Sequence, residues 1–121
     1  MKKIHSHEDL EIWKLSIELV VKIYKITQNY PSGEKYSLVQ QLRRAAVSVP
    51  SNNSEGAARK SKKEYINFLS IAKGSLSEVE TQLIISYRLE YAEKNILPFR
   101  DIRSLRIMIS SLIKKLESKP E

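Results

Sequence analysis

A chain of 121 residues has room for one hydrophobic core, and its 21 Lys plus Arg against 14 Asp plus Glu give a formal charge of +7 that makes polyanions the first partners to weigh. The absence of cysteine excludes a disulfide framework and thiolate metal sites and suits a reducing cytoplasm. No apolar run approaches the roughly 20 residues of a membrane span, and the two N-terminal lysines lead into no apolar signal segment, so neither membrane insertion nor export is expected.

Three glycines and four prolines punctuate long stretches in which apolar residues recur three and four apart, the pattern of an almost entirely helical chain. Ser6 followed by Asp9 approximates a capping box, and Leu10, Trp13, Ile17, Val20 and Tyr24 form a 3-4-3-4 stripe, predicting a first helix over about 8–29. Tyr30-Pro31-Ser32-Gly33 stops it, because proline cannot continue a helix and disfavours helical backbone at the residue before it.

A second helix is predicted over about 34–59, with Leu38, Leu42, Ala45, Val49 and Gly56 on a narrow, small-residue side suited to close packing. Ser61 with Glu64 is a capping box for a third helix over about 62–90, whose seam of Tyr65, Leu69, Ala72, Leu76, Val79, Leu83 and Ser86 keeps nearly heptad spacing. Gly74 in its middle costs about 1 kcal/mol of helix propensity, which points to close approach of a neighbouring backbone. Tyr91 to Leu97 reads as a connection. Pro98 then opens a fourth helix over about 98–117, striped by Ile102, Leu105, Ile109, Leu112 and Leu116. Four helices with short connections predict a single all-α domain, an antiparallel up-down-up-down four-helix bundle. A second apolar row, Ile12, Leu19, Ile23 and Ile26 on the first helix and Ile66, Ile71, Ile84 and Ile85 on the third, exceeds what one bundle core covers and predicts a homo-oligomer.

Gln41 to Gly56 reads Gln-Leu-Arg-Arg-Ala-Ala-Val-Ser-Val-Pro-Ser-Asn-Asn-Ser-Glu-Gly, with polar and proline residues where a plain amphipathic helix has no use for them. Pro50 removes a backbone hydrogen bond and clashes with the carbonyl of Ala46, and Asn52 with Glu55 looks like a fresh capping box, so physics alone predicts a break there. The segment nevertheless resembles the signature of the 23S rRNA-intervening sequence proteins, a family of small four-helix bundles. Glu8-Asp9-Leu10-x-Ile12-Trp13, Pro31 with Glu34 and Tyr36, and Ala72-x-Gly74-Ser75-Leu76-x-Glu78-x-Glu80 extend the likeness to about three quarters of the chain. The sequence departs from the pattern at Asn53, where Ile or Val is usual, and at Ser54, where Ala is common. The resemblance implies one long second helix kinked at Pro50, a pentameric ring and ribosomal RNA as a partner.

On a continuous helix Arg44, Ser48, Asn52, Glu55 and Arg59 share one face. They serve either as a nucleic-acid or ligand surface, or as a buried or interfacial network in which Arg44 is satisfied by Glu55 or Glu78 and Asn52 ties the backbone around Pro50.

The densest basic run, Arg59, Lys60, Lys62 and Lys63, lies at the tip joining the second and third helices, and a ring would multiply it into an RNA-backbone surface. Arg103, Arg106, Ser110 and Lys114 make a second stripe along the fourth helix, and Tyr87 and Tyr91 are candidates for base stacking. His5 and His7, which the predicted start of the first helix places before it, are too few to hold a metal. With no cysteine, no helical Glu-x-x-His pair and no glycine-rich phosphate loop, neither catalysis nor a cofactor is expected. The chain thus reads as a cytoplasmic non-enzyme binding structured RNA, or alternatively as a protein-interaction scaffold.

Overall fold

The computed structural model describes residues 7–119, which form helices joined by turns, with no strand among them. The helices are α1 (His7–Thr27), α2 (Leu38–Ala57), α3 (Lys62–Arg88) and α4 (Phe99–Glu117), with 3-10 turns at Ser32–Glu34 and Lys94–Ile96 in two of the connections. α2 and α4 each pack on both α1 and α3, so every helix has two main neighbours around one core. Leu42 and Val49 of α2, Leu69, Leu76 and Leu83 of α3, and Ile102, Leu105 and Ile109 of α4 are completely buried there.

α1 presents a different face from the one its periodicity predicts. Ile12, Leu19 and Ile23 are the buried residues, whereas Trp13, Ile17 and Tyr24 lie at the surface. Three polar residues share the buried face, each with a partner that makes burial tolerable. Asp9 accepts a 2.9 Å bond from the Tyr65 hydroxyl, Ser16 donates to the Trp13 carbonyl at 2.9 Å and Thr27 donates to the Ile23 carbonyl at 2.7 Å. Burial, reinforced by the Asp9 charge and its hydrogen bond, pushes the Tyr65 phenol well above its usual range. Ser6 and His5 lie outside the described residues.

α2 begins at Leu38, four residues later than expected, because Glu34 acts from the preceding turn. Its carboxylate accepts from the Ser37 hydroxyl at 2.6 Å and from the Leu38 N–H at 3.4 Å, supplying the cap that Ser37 itself does not make. The helix continues through Pro50 to Ala57 without opening a new start at Asn52. The Asn52 amide instead donates to the Ser48 carbonyl and to Ser48 Oγ, both at 2.8 Å, holding the turn that contains the proline.

α3 buries the whole seam from Tyr65 to Ser86. Ser61 Oγ accepts the Glu64 N–H at 3.0 Å, the backbone half of the predicted capping box. The helix closes in a Schellman arrangement, with Tyr91 N–H bonded to the Ser86 carbonyl and Glu90 N–H to that of Tyr87. Glu90 therefore adopts a left-handed φ of 66°, a position that favours glycine.

Of the two helical glycines expected at close approaches, Gly56 is at one and Gly74 is not. Nothing lies within 4 Å of where a Cβ at Gly74 would project, so no neighbouring backbone accounts for it. At Gly56 that Cβ would meet Phe68 Cβ at 2.9 Å and the Tyr65 carbonyl oxygen at 3.2 Å. The close approach of α2 to α3 is therefore at the end of α2.

Candidate nucleic-acid interface

Arg59, Lys60, Lys62 and Lys63 occupy the α2–α3 junction, and the structure gives them unequal freedom. Arg59 bonds Glu55 at 2.7 Å, lies 3.8 Å from Glu64 and stacks 4.9 Å above the centre of the Phe68 ring, so its charge is already engaged. Lys60 and Lys63 are exposed and make no ion pair among the described residues. Lys62 Nζ donates to the Lys119 carbonyl, which brings the C-terminal end of α4 against the tip. Lys115, near that end, pairs with Glu8 at the start of α1.

The α4 stripe divides. Arg106 donates to Glu80 of α3 at 2.7 Å. It shares a groove of about 660 Å³ with Lys114, Ser110 and Lys73, and Ile107 and Ile113 also line it. Arg103 is exposed and does not line this groove.

The motif residues also separate into two groups. Ser48 and Ser75 hydroxyls lie 2.7 Å apart, Asn52 donates to Ser48, and Ser75 donates to the Ile71 carbonyl at 3.2 Å, a small polar seam between α2 and α3. Glu55 turns to Arg59 rather than to Arg44. Arg44 and Glu78 are exposed, line a common pocket and form no ion pair with each other or with any described residue.

The other arginine of the motif, Arg43, has a structural role that spacing did not reveal. Its Nε donates to Thr27 Oγ1 at 3.0 Å and its Nη2 to the Tyr24 carbonyl at 3.2 Å, while the guanidinium lies 4.4 Å from the centre of the Tyr24 ring. It thus satisfies part of the C-terminal turn of α1. Its position one residue before Arg44, on the side facing α1, was the available signal. Tyr87 and Tyr91, candidates for stacking, are engaged internally: Tyr87 meets Phe99 edge-on at 6.2 Å, and Tyr91 packs on Tyr30 at 5.5 Å while bonding Glu34 at 2.7 Å.

Four helices around one core, with lysines gathered at one end and a polar seam along α2, define an all-α four-helix protein with no helix among the described residues long and apolar enough to cross a membrane. Over residues 8–117 the chain matches the family model of the 23S rRNA-intervening sequence proteins, and it belongs to that family. Its fold is similar to a crystal structure of a protein of unknown function from the S23 ribosomal protein family of Bacteroides thetaiotaomicron. The TM-score is 0.81 at 24% identity, over 88% of this chain and 98% of that one. No curated protein matches the chain.

Proposed function

We propose that this protein is a non-enzymatic, cytoplasmic RNA-binding bundle that assembles as a homopentameric ring and holds structured RNA, ribosomal RNA being the natural candidate, by its phosphates. The observation that carries the reading is the exposure of Lys60 and Lys63 at the α2–α3 junction, where neither makes an ion pair among the described residues and the lysine-rich end of α4 lies beside them. Exposed Lys60 and Lys63 then supply unengaged charge, and the groove holding Lys73, Arg106 and Lys114 offers a second track for the backbone. Arg103 extends that track toward the start of α4.

Assembly is supported by two unlike apolar patches. One combines Trp13, Ile17, Val20 and Val47 around a groove between α1 and α2, and the other gathers Ile84, Ile85 and the capping Leu89 at the C-terminal end of α3. Unlike patches that meet head to tail generate rings when the rotation closes. Within each subunit the helices run up-down-up-down, as their short connections and cyclic packing favour, and α2 bends at Pro50.

The test is fluorescence anisotropy with a large-subunit rRNA hairpin, a scrambled hairpin and duplex DNA across a salt series, on protein of known mass. Binding should weaken steeply with salt, and the triple variant Lys60→Gln, Lys62→Gln, Lys63→Gln should lose it while keeping the wild-type mass. Undiminished binding by that variant would refute the role of the tip, and a monomeric mass would refute the ring.

A further inference from the structure

The pocket containing Arg44 and Glu78 holds about 540 Å³ between the outer sides of α2 and α3, and Tyr36, Gln40, Gln41 and Ser48 are among the other residues that line it. Its two charges are opposite yet make no ion pair, which leaves a five-donor guanidinium and a two-oxygen acceptor open to a common occupant. Gln41 is oriented by its Oε1, which accepts from Gln82 Nε2 at 3.3 Å, and Gln82 is only 6% exposed with no partner for its own Oε1. Tyr36, 80% exposed, presents an aromatic face at the rim, and Lys35 Nζ lies 5.4 Å from the centre of that ring.

We infer that this pocket binds an unstacked guanine base, an inference that rests on the nucleic-acid reading above and extends it from backbone to base. A carboxylate with two free oxygens matches the adjacent N1–H and N2–H donors of guanine, and an arginine fork matches its O6 and N7 acceptors. Guanine is the one base that offers both paired edges. O6 adjoins N1, so the two edges meet at a corner, as charges on facing helices require. Tyr36 supplies the flat partner that an unstacked base needs, and Lys35 a cation for the attached phosphate. Such bases occur in the loops and bulges of structured RNA, where proteins read sequence.

The test uses the full chain titrated with GMP, AMP, CMP and UMP by calorimetry in about 0.5 M salt, where phosphate attraction is screened. GMP should bind at least about tenfold more tightly than the others, and Glu78→Gln, which keeps the side-chain shape, should remove about tenfold or more of that affinity. Tyr36→Ala should weaken all four nucleotides without changing the mass of the assembly. Equal binding of the four, absence of GMP binding, or undiminished GMP affinity in Glu78→Gln would overturn the inference. A fall in assembly mass for Glu78→Gln without nucleotide binding would overturn it in favour of a contact between copies of the chain. Hairpin binding that depends on the tip lysines while GMP is not bound removes the guanine pocket and leaves the RNA reading intact. GMP binding without any RNA binding does the reverse.

Discussion

Arg43 joins α2 to the end of α1 through Tyr24, whose ring lies 4.4 Å beneath the guanidinium and whose carbonyl accepts from Nη2 at 3.2 Å. With the bond to Thr27, one side chain makes three contacts to the C-terminal turn of α1, whose Tyr24 carbonyl also accepts from the Thr27 hydroxyl at 3.2 Å. Arg43→Ala is expected to cost about 2 kcal/mol, from charge-assisted hydrogen bonds and the cation–π contact together. Arg43→Lys should recover less than half of this, because an ammonium cannot bond and stack with a planar fork. Urea melts of the three proteins check the order, and a Lys variant as stable as wild type would count against it.

The glycines at 56 and 74 should respond to alanine with opposite signs. Gly56→Ala forces a methyl against Phe68 Cβ and the Tyr65 carbonyl, neither of which moves without shifting backbone, and should destabilise by about 1–3 kcal/mol. Gly74→Ala meets open space in mid-helix and should stabilise the chain by about 1 kcal/mol. Thermal melts of both variants decide the matter, and two shifts of the same sign would contradict the packing described.

Asn53 is buried at 1% exposure, and its Nδ2 has no hydrogen-bond partner. An unpaired buried amide costs about 1–3 kcal/mol, so Asn53→Val, which removes the polar group and adds about one methyl of volume, should raise stability by less than that amount. The sequence marked the position, since an apolar residue is the family's usual choice there. A Val variant no more stable than wild type would show that the amide is satisfied.

The fold was most legible where apolar spacing and burial coincide. In α3 every residue of the Tyr65 to Ser86 seam is buried, and the α4 stripe is buried from Ile102 to Leu112, with Leu116 half-buried. α1 was misread because Asp9, Ser16 and Thr27 share the face of Ile12, Leu19 and Ile23, and their polarity made that row read as the second one, outside the core. Their burial depends on Tyr65 and on local carbonyls, and spacing alone reveals neither. The site was legible as residue types but not as partnerships. Asn52 and Ser48, four apart on one helix, could be paired from spacing, whereas Ser75 meets Ser48 from another helix. Arg59 read as free charge in the sequence, yet it is engaged by Glu55, Glu64 and Phe68.

Glu34 links the connection before α2 to the one after α3, because it accepts from Ser37, Leu38 and, at 2.7 Å, from the Tyr91 hydroxyl. The Ser37 hydroxyl first, and then that of Tyr91, hold its carboxyl below the ordinary carboxylate range, and the same bond to Glu34 raises the Tyr91 phenol. A carboxyl whose pKa is lowered on folding binds its proton less tightly in the folded chain. Its contribution is therefore present above the ordinary carboxylate pKa and is lost as pH falls through the depressed one. Glu34→Gln should accordingly be less stable than wild type at neutral pH and should approach it below that window. Tyr91→Phe should remove part of the same pH dependence, since a carboxylate without the phenol donor keeps a less depressed pKa. Denaturation midpoints from neutral pH down to about pH 3 follow all three proteins through the carboxylate range. Parallel curves for wild type and Glu34→Gln would remove Glu34 as the hub, and an unaltered pH dependence in Tyr91→Phe would confine its linkage to Ser37 and Leu38.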